Sequence, residues 1–179
     1  MPETIKIDEA IEILDITDDH DNVVGQQPRS EIKIGEFCNI RMVNGFLING
    51  KGELWIPRRT TRKKLFPSCL DMGIGGYVKS DEDYDGAFRR EIKEELNIDP
   101  DTIQYVKLGK LSPYESRISS FTTVYAVYTN MTPQFDTNNF SEASWITPED
   151  LVKKLKNGEP AKSDLSLLVE KFLLPAKKA

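Results

Sequence analysis

Between Gly73 and Ile98 the sequence runs GIGGYVKSDEDYDGAFRREIKEELNI, and its periodicity constrains the fold more than any other stretch. Ser80 precedes a helical pattern and Asp83 lies three positions on, the spacing of a capping box. This predicts a helix over Asp83 to Leu96. With Tyr84 at zero and about 100° per residue, Ala87 and Phe88 fall at roughly 300° and 40° and define the buried arc. Glu91, Glu94 and Glu95 fall at roughly 340°, 280° and 20°, in the same arc, while Arg89 and Lys93 point to water. Desolvating carboxylates is costly, and three like charges repel one another. A hard divalent cation relieves both problems, because Mg2+ prefers carboxylate oxygens and keeps waters for substrate phosphates. The alternative is an ordinary solvated Glu/Lys helix with i,i+4 pairs such as Arg90 with Glu94.

Composition narrows the remaining chemistry. The 179 residues carry 24 Lys+Arg against 29 Asp+Glu, for a net charge of -5, with one His and two Cys. That length suits one domain with a sizeable core. Two cysteines, Cys38 and Cys69, make neither a disulfide framework nor a four-thiolate zinc site. A single His20 excludes mechanisms that need a histidine pair. No apolar stretch approaches the ~20 residues of a membrane span, and the N-terminus lacks a secretory pattern. A reduced, cytoplasmic protein with no membrane partner is expected. Mild acidity weighs against a long nucleic-acid partner but leaves room for a local basic patch.

No repeat or flexible linker interrupts the chain, so one domain over 1–179 is expected. Ile11 to Ile16, a turn over Asp18 to Asn22, and Val23 to Gly25 read as a β-hairpin arm. Ile40 to Ile48 reads as a strand, Asn49-Gly50-Lys51-Gly52 as a turn, and Glu53 to Pro57 as the returning strand. Phe121 to Tyr128 is the clearest strand of the second half. One helix starts at Thr147 with Pro148 first and ends near Gly158. Another follows Ser163 through Leu165, Leu168, Val169 and Phe172. The fold class is α/β, a sheet packed between helices.

The helical segment matches G-x5-E-x7-R-E-U-x-E-E-x-G-U, with U aliphatic, across residues 76–98. Gly76, Glu82, Arg90-Glu91, Ile92, Glu94-Glu95 and Ile98 fill its fixed positions, and only Asn97 departs, where glycine is usual. Asn is the next most tolerated residue in the left-handed conformation that ends such a helix. The segment resembles the Nudix box. The resemblance implies a Nudix fold, a mixed β-sheet sandwiched between α-helices, here with the N-terminal hairpin arm. It also implies hydrolysis of a diphosphate by metal-activated water, with Mg2+ or Mn2+ as cofactor. On this sequence Glu94 and Glu95 would be the main metal ligands, Glu91 a ligand or base held by Arg90, and Glu82 an outer ligand. The Gly75-Gly76 backbone would approach the metal, which a side chain there would obstruct. Glu142, three residues before Trp145, resembles the additional downstream acid of many members; a surface loop is its other reading.

LDITDDHDNVVGQQPRSEI, NGFLINGKGELWIPRRTTRKKLFPSCLDMGIGG and SWITPEDL resemble the isopentenyl-diphosphate-isomerase-like branch, over nearly the whole chain. That branch holds isomerases and nucleoside di- and triphosphate hydrolases. An isomerase needs a cysteine and a histidine before the box, where this chain has Gly75 and Tyr77, and Cys69 lies six residues too early. The expectation is therefore a small-molecule nucleotide substrate, pyrimidine nucleotides first, with a monomer or homodimer. An isomerase-like enzyme and a non-catalytic nucleotide-binding module are the alternatives. Related hydrolases share the spacing of Arg58, Arg59 and Lys63, and guanidinium forks suit phosphate oxygens, so Arg59 and Lys63 are assigned to substrate phosphate. A solvated basic turn is the blander reading of that run. Asn44 and Phe46 are placed near the base or alcohol part of the substrate, with core packing favoured for Phe46. Arg117 is a weaker phosphate candidate, and Trp55 and Trp145 read as core.

Overall fold

Several strands carry apolar side chains on both faces, so the sheet they form must be covered twice. The computed structural model describes residues 12–33 and 39–174, which leaves Ile11 and Cys38 outside. Among these residues the chain forms β1 (Ile13–Thr17), β2 (Val23–Pro28), β3 (Arg41–Ile48), β4 (Leu54–Arg59) and β5 (Ile74–Tyr77). Helix α1 (Tyr84–Leu96) follows, then β6 (Gln104–Leu111), β7 (Phe121–Tyr128), β8 (Phe140–Ile146), α2 (Pro148–Lys156) and α3 (Leu165–Phe172). The main sheet has the order β6-β7-β3-β4-β8, with β5 branching from β3. Strands β3 and β7 run parallel from Arg41↔Phe121 to Ile48↔Tyr128, and the other pairs are antiparallel. The sheet is mixed, as expected.

Alternation along β3 assigns its two faces. Val43 and Leu47 pack with Phe88 and Ile92 of α1. Phe46 packs with Leu54, Ile56, Leu151 of α2 and Leu165 of α3. The sheet thus lies between α1 and the α2–α3 pair. Trp55 is buried with the α1 side, and half-buried Trp145 packs against it while donating Nε1–H to Thr132 Oγ1 at 3.2 Å.

The expected β3–β4 hairpin is corrected in one respect. These strands pair only at Ile48↔Leu54 before they part. β5 takes the vacated edge of β3, from Met42↔Tyr77 to Gly45↔Ile74, while β4 continues against β8. A strand edge offers one set of backbone partners, so β5 displaces β4 along most of β3. The displacement sets Gly75 opposite Asn44.

The β1–β2 arm forms its own two-stranded sheet. Asp21, at φ 64°, anchors its turn to the main body: Arg41 Nε donates to Asp21 Oδ1 at 2.7 Å, Tyr84 Oη to Asp21 Oδ2 at 2.9 Å, and Lys110 also pairs with it. Helix α1 is capped by Asp83, whose Oδ1 accepts from Gly86 N–H at 2.7 Å. Ser80 is not the cap, because the helix begins at Tyr84 and Ser80 lies three residues before the capping Asp83. Asn97 ends the helix at φ 52° and ψ 36°, in the left-handed conformation its sequence position implied. Thr147 caps α2 with Pro148 in the first turn, and α3 begins at Leu165.

Candidate active site

Helix α1 lays its inner face across β5, and two glycines make the approach possible. A Cβ built on Gly76 would overlap the Glu91 carboxylate. Gly75 N–H donates to Glu95 Oε2 at 3.0 Å. A Cβ on Gly75 would stand 2.8 Å from Asn44 Oδ1, so this backbone is crowded from both sides. No side chain fits where the helix carboxylates meet the strand.

Arg90 organises the acids around it. Its Nε and Nη2 grip Glu82 Oε1 at 2.7 Å and Oε2 at 2.9 Å, a bidentate fork. Nη2 also donates to Tyr77 O at 2.9 Å. Nη1 donates to Glu91 Oε1 at 2.5 Å and reaches Glu94 Oε2 at 3.3 Å. The expected inward placement of all three helix glutamates requires correction. Glu91 is buried and Glu95 half-buried, but the Glu94 side chain is 54% exposed. Glu94 falls at roughly 280°, the edge of the arc, beyond the cover that β5 provides. Arg89 points outward as expected, its side chain 38% exposed, and it pairs with Asp101 at 2.5 Å.

The inner carboxylates are held against their ordinary protonation. Burial pushes Glu91 up; Arg90 offsets part of this and the Glu94 charge adds to it. Burial pushes Glu95 well above the usual range, with the charges of Glu91 and Asp71 adding to it. Gly75 N–H and Lys162 act in the opposite direction. Crowded, desolvated carboxylate oxygens beside a bare Gly-Gly backbone are the donor set a hard divalent cation requires. Among the described residues no three acids stand in an arrangement that could hold a metal ion, and Glu82, Glu91 and Glu94 are instead gathered on the Arg90 guanidinium.

A cavity of about 530 Å³ opens beside Gly75, Gly76 and Glu95. The end of β4 contributes Arg59 to its lining, the loop that follows contributes Lys63 and Lys64, and the segment before α3 contributes Lys162 and Asp164. Arg59 Nη1 is braced by Asp71 Oδ2 at 2.7 Å, and Lys63 Nζ by Asn139 Oδ1 at 2.5 Å. Lys162 Nζ sits 3.5 Å from Asp71 Oδ1. Asn44 is fully buried and donates Nδ2–H to Asp164 Oδ2 at 3.2 Å. Asn44 Oδ1 and Asp164 Oδ1 remain buried without a protein partner.

Other sequence candidates lie elsewhere. Arg58 faces Glu142 across β4 and β8, with Nε donating to Glu142 Oε1 at 2.6 Å, and Nη2 pairs with Glu159 at 2.8 Å. Both Arg58 and Glu142 line a separate depression of about 150 Å³. Glu142 is therefore an exposed strand residue, not a loop residue. Phe46 belongs to the core, and exposed Arg117 does not line the main cavity.

The NUDIX domain model matches residues 39–168. The chain belongs to the Nudix family. An uncharacterized Nudix hydrolase of Nostoc sp. is 47% identical over 162 residues, 90% of this chain and 96% of that one. A crystal structure of a Deinococcus radiodurans protein, 43% identical, superposes with a TM-score of 0.87 over 91% of this chain and 100% of the other. An isopentenyl-diphosphate Delta-isomerase of Photorhabdus laumondii is 26% identical over 151 residues, 80% of this chain and 84% of that one. That likeness hints only weakly at the isomerase-like branch. As a Nudix hydrolase the chain acts on phosphoanhydride bonds, and enzymes of this family generally use divalent cations.

Within the Nudix frame, the box residues Glu82, Arg90 and Glu91 are joined, Glu95 reaches Gly75, and Arg59 and Lys63 line the cavity with Gly75, Gly76 and Glu95. Sequence reading missed Asp71, Lys162, Asp164 and Arg29. Asp71 lies four residues before Gly75 in an otherwise apolar run, LDMGIGG, and that buried setting was the one available signal. Lys162 and Asp164 reach the site only through the fold, nearly 90 residues later in the chain than Gly75.

Proposed function

We propose that the protein is a Mg2+-dependent hydrolase of nucleoside di- or triphosphates, with pyrimidine nucleotides the first candidates. The carrying observation is that Glu95, the Gly75-Gly76 backbone and the cations Arg59, Lys63 and Lys64 line one cavity, with the Glu91 carboxylate packed against Gly76. Its volume, about 530 Å³, lies within the span typical of small-ligand pockets.

On this reading Glu91, Glu94 and Glu95, with Glu82 further out and Gly75 through its backbone, would hold Mg2+ or Mn2+. Such an ion supplies Lewis-acid polarisation and a more acidic bound water. Arg90 positions Glu91 by holding Oε1. This leaves Glu91 Oε2 for the cation or for the proton of the attacking water. Arg59 and Lys63 bind the outer phosphates, supported by the braces that fix both side chains in advance. Gly76 lets the phosphate chain approach, and Asn44 orients Asp164 at the far side of Gly75. Arg58 and Glu142 have no role in this reading, because they neutralise each other outside the cavity. The chain is taken as one domain acting in the cytoplasm; among the described residues no helix is long and apolar enough to cross a membrane.

Incubation with a nucleotide panel and Mg2+, reading released phosphate and pyrophosphate, tests the proposal. Turnover of a nucleoside di- or triphosphate supports it. Failure to cleave any diphosphate compound would sink it.

A further inference from the structure

The cavity has a wall that the box does not account for. Arg29 sits at the end of the arm, and its guanidinium carbon lies 4.7 Å from the centre of the Tyr77 ring. Arg29 Nη2 also donates to Tyr77 Oη at 3.4 Å. Tyr77 and Met42 are register partners on β5 and β3, so their side chains share one face of the sheet. Arg29, Ile32, Met42 and Tyr77 all line the cavity that also holds Glu95 and Arg59. Both arm residues precede residue 39, where the family match begins.

The chemistry of this wall differs from that of the cationic loop. Arg59, Lys63 and Lys64 present charge, whereas Arg29 is half-buried with its guanidinium carbon over an aromatic ring. A stacked guanidinium offers a delocalised planar surface as well as a charge. Met42 adds a polarisable thioether and Ile32 an aliphatic flank, neither of which has anything to offer a phosphate. A flat, largely apolar surface in a cavity whose other lining suits polyanions fits the planar part of a nucleotide.

We propose that the N-terminal arm supplies the nucleobase platform of the active site, with Arg29 stacked on Tyr77 as its surface and Met42 and Ile32 as its flanks. The platform rests on the nucleotide-hydrolase reading above and names how the substrate's base is held. Stacking accepts any base, so the platform confers preference for nucleotides over inorganic polyphosphate, with choice among bases left to edge contacts.

The test compares a nucleoside triphosphate with inorganic tripolyphosphate, which has the same anionic chain and no base. In Arg29→Ala and Arg29→Lys proteins, KM for the nucleotide should rise about 10-fold while kcat stays within about 2-fold of wild type. Both constants for tripolyphosphate should stay unchanged. Arg29→Lys keeps the charge and loses the plane. Rescue by lysine, or an equal rise in KM for tripolyphosphate, would show a phosphate contact and overturn the platform. Unaltered nucleotide KM in both variants would overturn it too. Circular dichroism and thermal melting confirm that each variant is folded, and Met42→Ala gives an independent variant expected to weaken the nucleotide alone. If wild type cleaves neither probe nor any other diphosphate compound, the hydrolase reading fails by itself. The platform is then judged by calorimetric binding of the two probes, where a nucleotide advantage lost in Arg29→Ala upholds it and equal affinity overturns it.

Discussion

Glu91 occupies the space that a side chain on Gly76 would need. The glycine at the head of the box and the first glutamate of its acidic cluster are thus one steric unit, separated by fifteen residues in sequence and fused in space. Gly76→Ala should push the Glu91 carboxylate away from β5 and from Arg90. Metal affinity should fall about 10–100-fold, as is usual when a ligand loses its support. Calorimetric titration with Mg2+ or Mn2+ checks this, and wild-type affinity in the variant would refute the coupling.

Arg90 binds Glu82, Glu91 and the Tyr77 carbonyl at once, and its side chain is 18% exposed. Removing it leaves buried acids without a counter-charge. Arg90→Ala should lose about 3 kcal/mol of unfolding free energy, and chemical denaturation measures it. Arg90→Lys should recover only part, since an ammonium cannot make the bidentate fork to Glu82. Full recovery by lysine would show that charge alone matters.

Glu95 shows the opposite balance between stability and function. Burial raises its pKa in the folded state, with Glu91 and Asp71 adding to the effect. A carboxylate with a raised folded pKa favours folding below its unfolded pKa and loses that contribution as pH rises through the folded value. At neutral pH in a chelator, Glu95→Gln should therefore melt at a higher temperature than wild type. Turnover should fall by orders of magnitude, and the Mg2+-induced rise in melting temperature should vanish. At about 100 times the dissociation constant, that rise corresponds to about 2.7 kcal/mol in wild type. A variant that melts lower than wild type in chelator would contradict the assignment.

Asp71 has the reverse sign. Burial pushes its carboxyl up, but the charges of Lys162 and Arg59 more than offset this, and the folded pKa lies below the ordinary value. Its stabilising contribution is present above the unfolded pKa and lost as pH falls through the folded one. Asp71→Asn should thus cost stability at pH 7, and the gap to wild type should close as pH drops into the acid range. Denaturation curves across that range decide the matter. A gap that stays constant with pH would mean Asp71 acts through packing or neutral hydrogen bonds.

The helix at the centre of the site was legible because its spacing encodes both its buried stripe and its acids. Phe88, Ala87 and Ile92 turned inward, and Asn97 ended the helix as a left-handed residue. Periodicity misjudged Glu94, since a wheel gives angles but not how far β5 extends over the arc. Strand β6 escaped notice because Lys107, Gly109 and Lys110 break its apolar alternation, and an edge strand tolerates that. The Asp71–Lys162 pair and the Arg29–Tyr77 contact arise from chain segments that only the folded topology brings together. No local pattern records them.

Strand β5 pairs with β3 and stands off the continuous path from β6 to β8. The segment bearing Gly75 and Gly76 therefore fills the β3 edge that β4 leaves after one pair, outside the strands that link β6 to β8. Its loops can lengthen or change composition while the five-strand path keeps its register. In an enzyme built this way, new substrate preferences are cheapest to evolve in the stretch between β4 and β5, where Lys63 and Lys64 already stand.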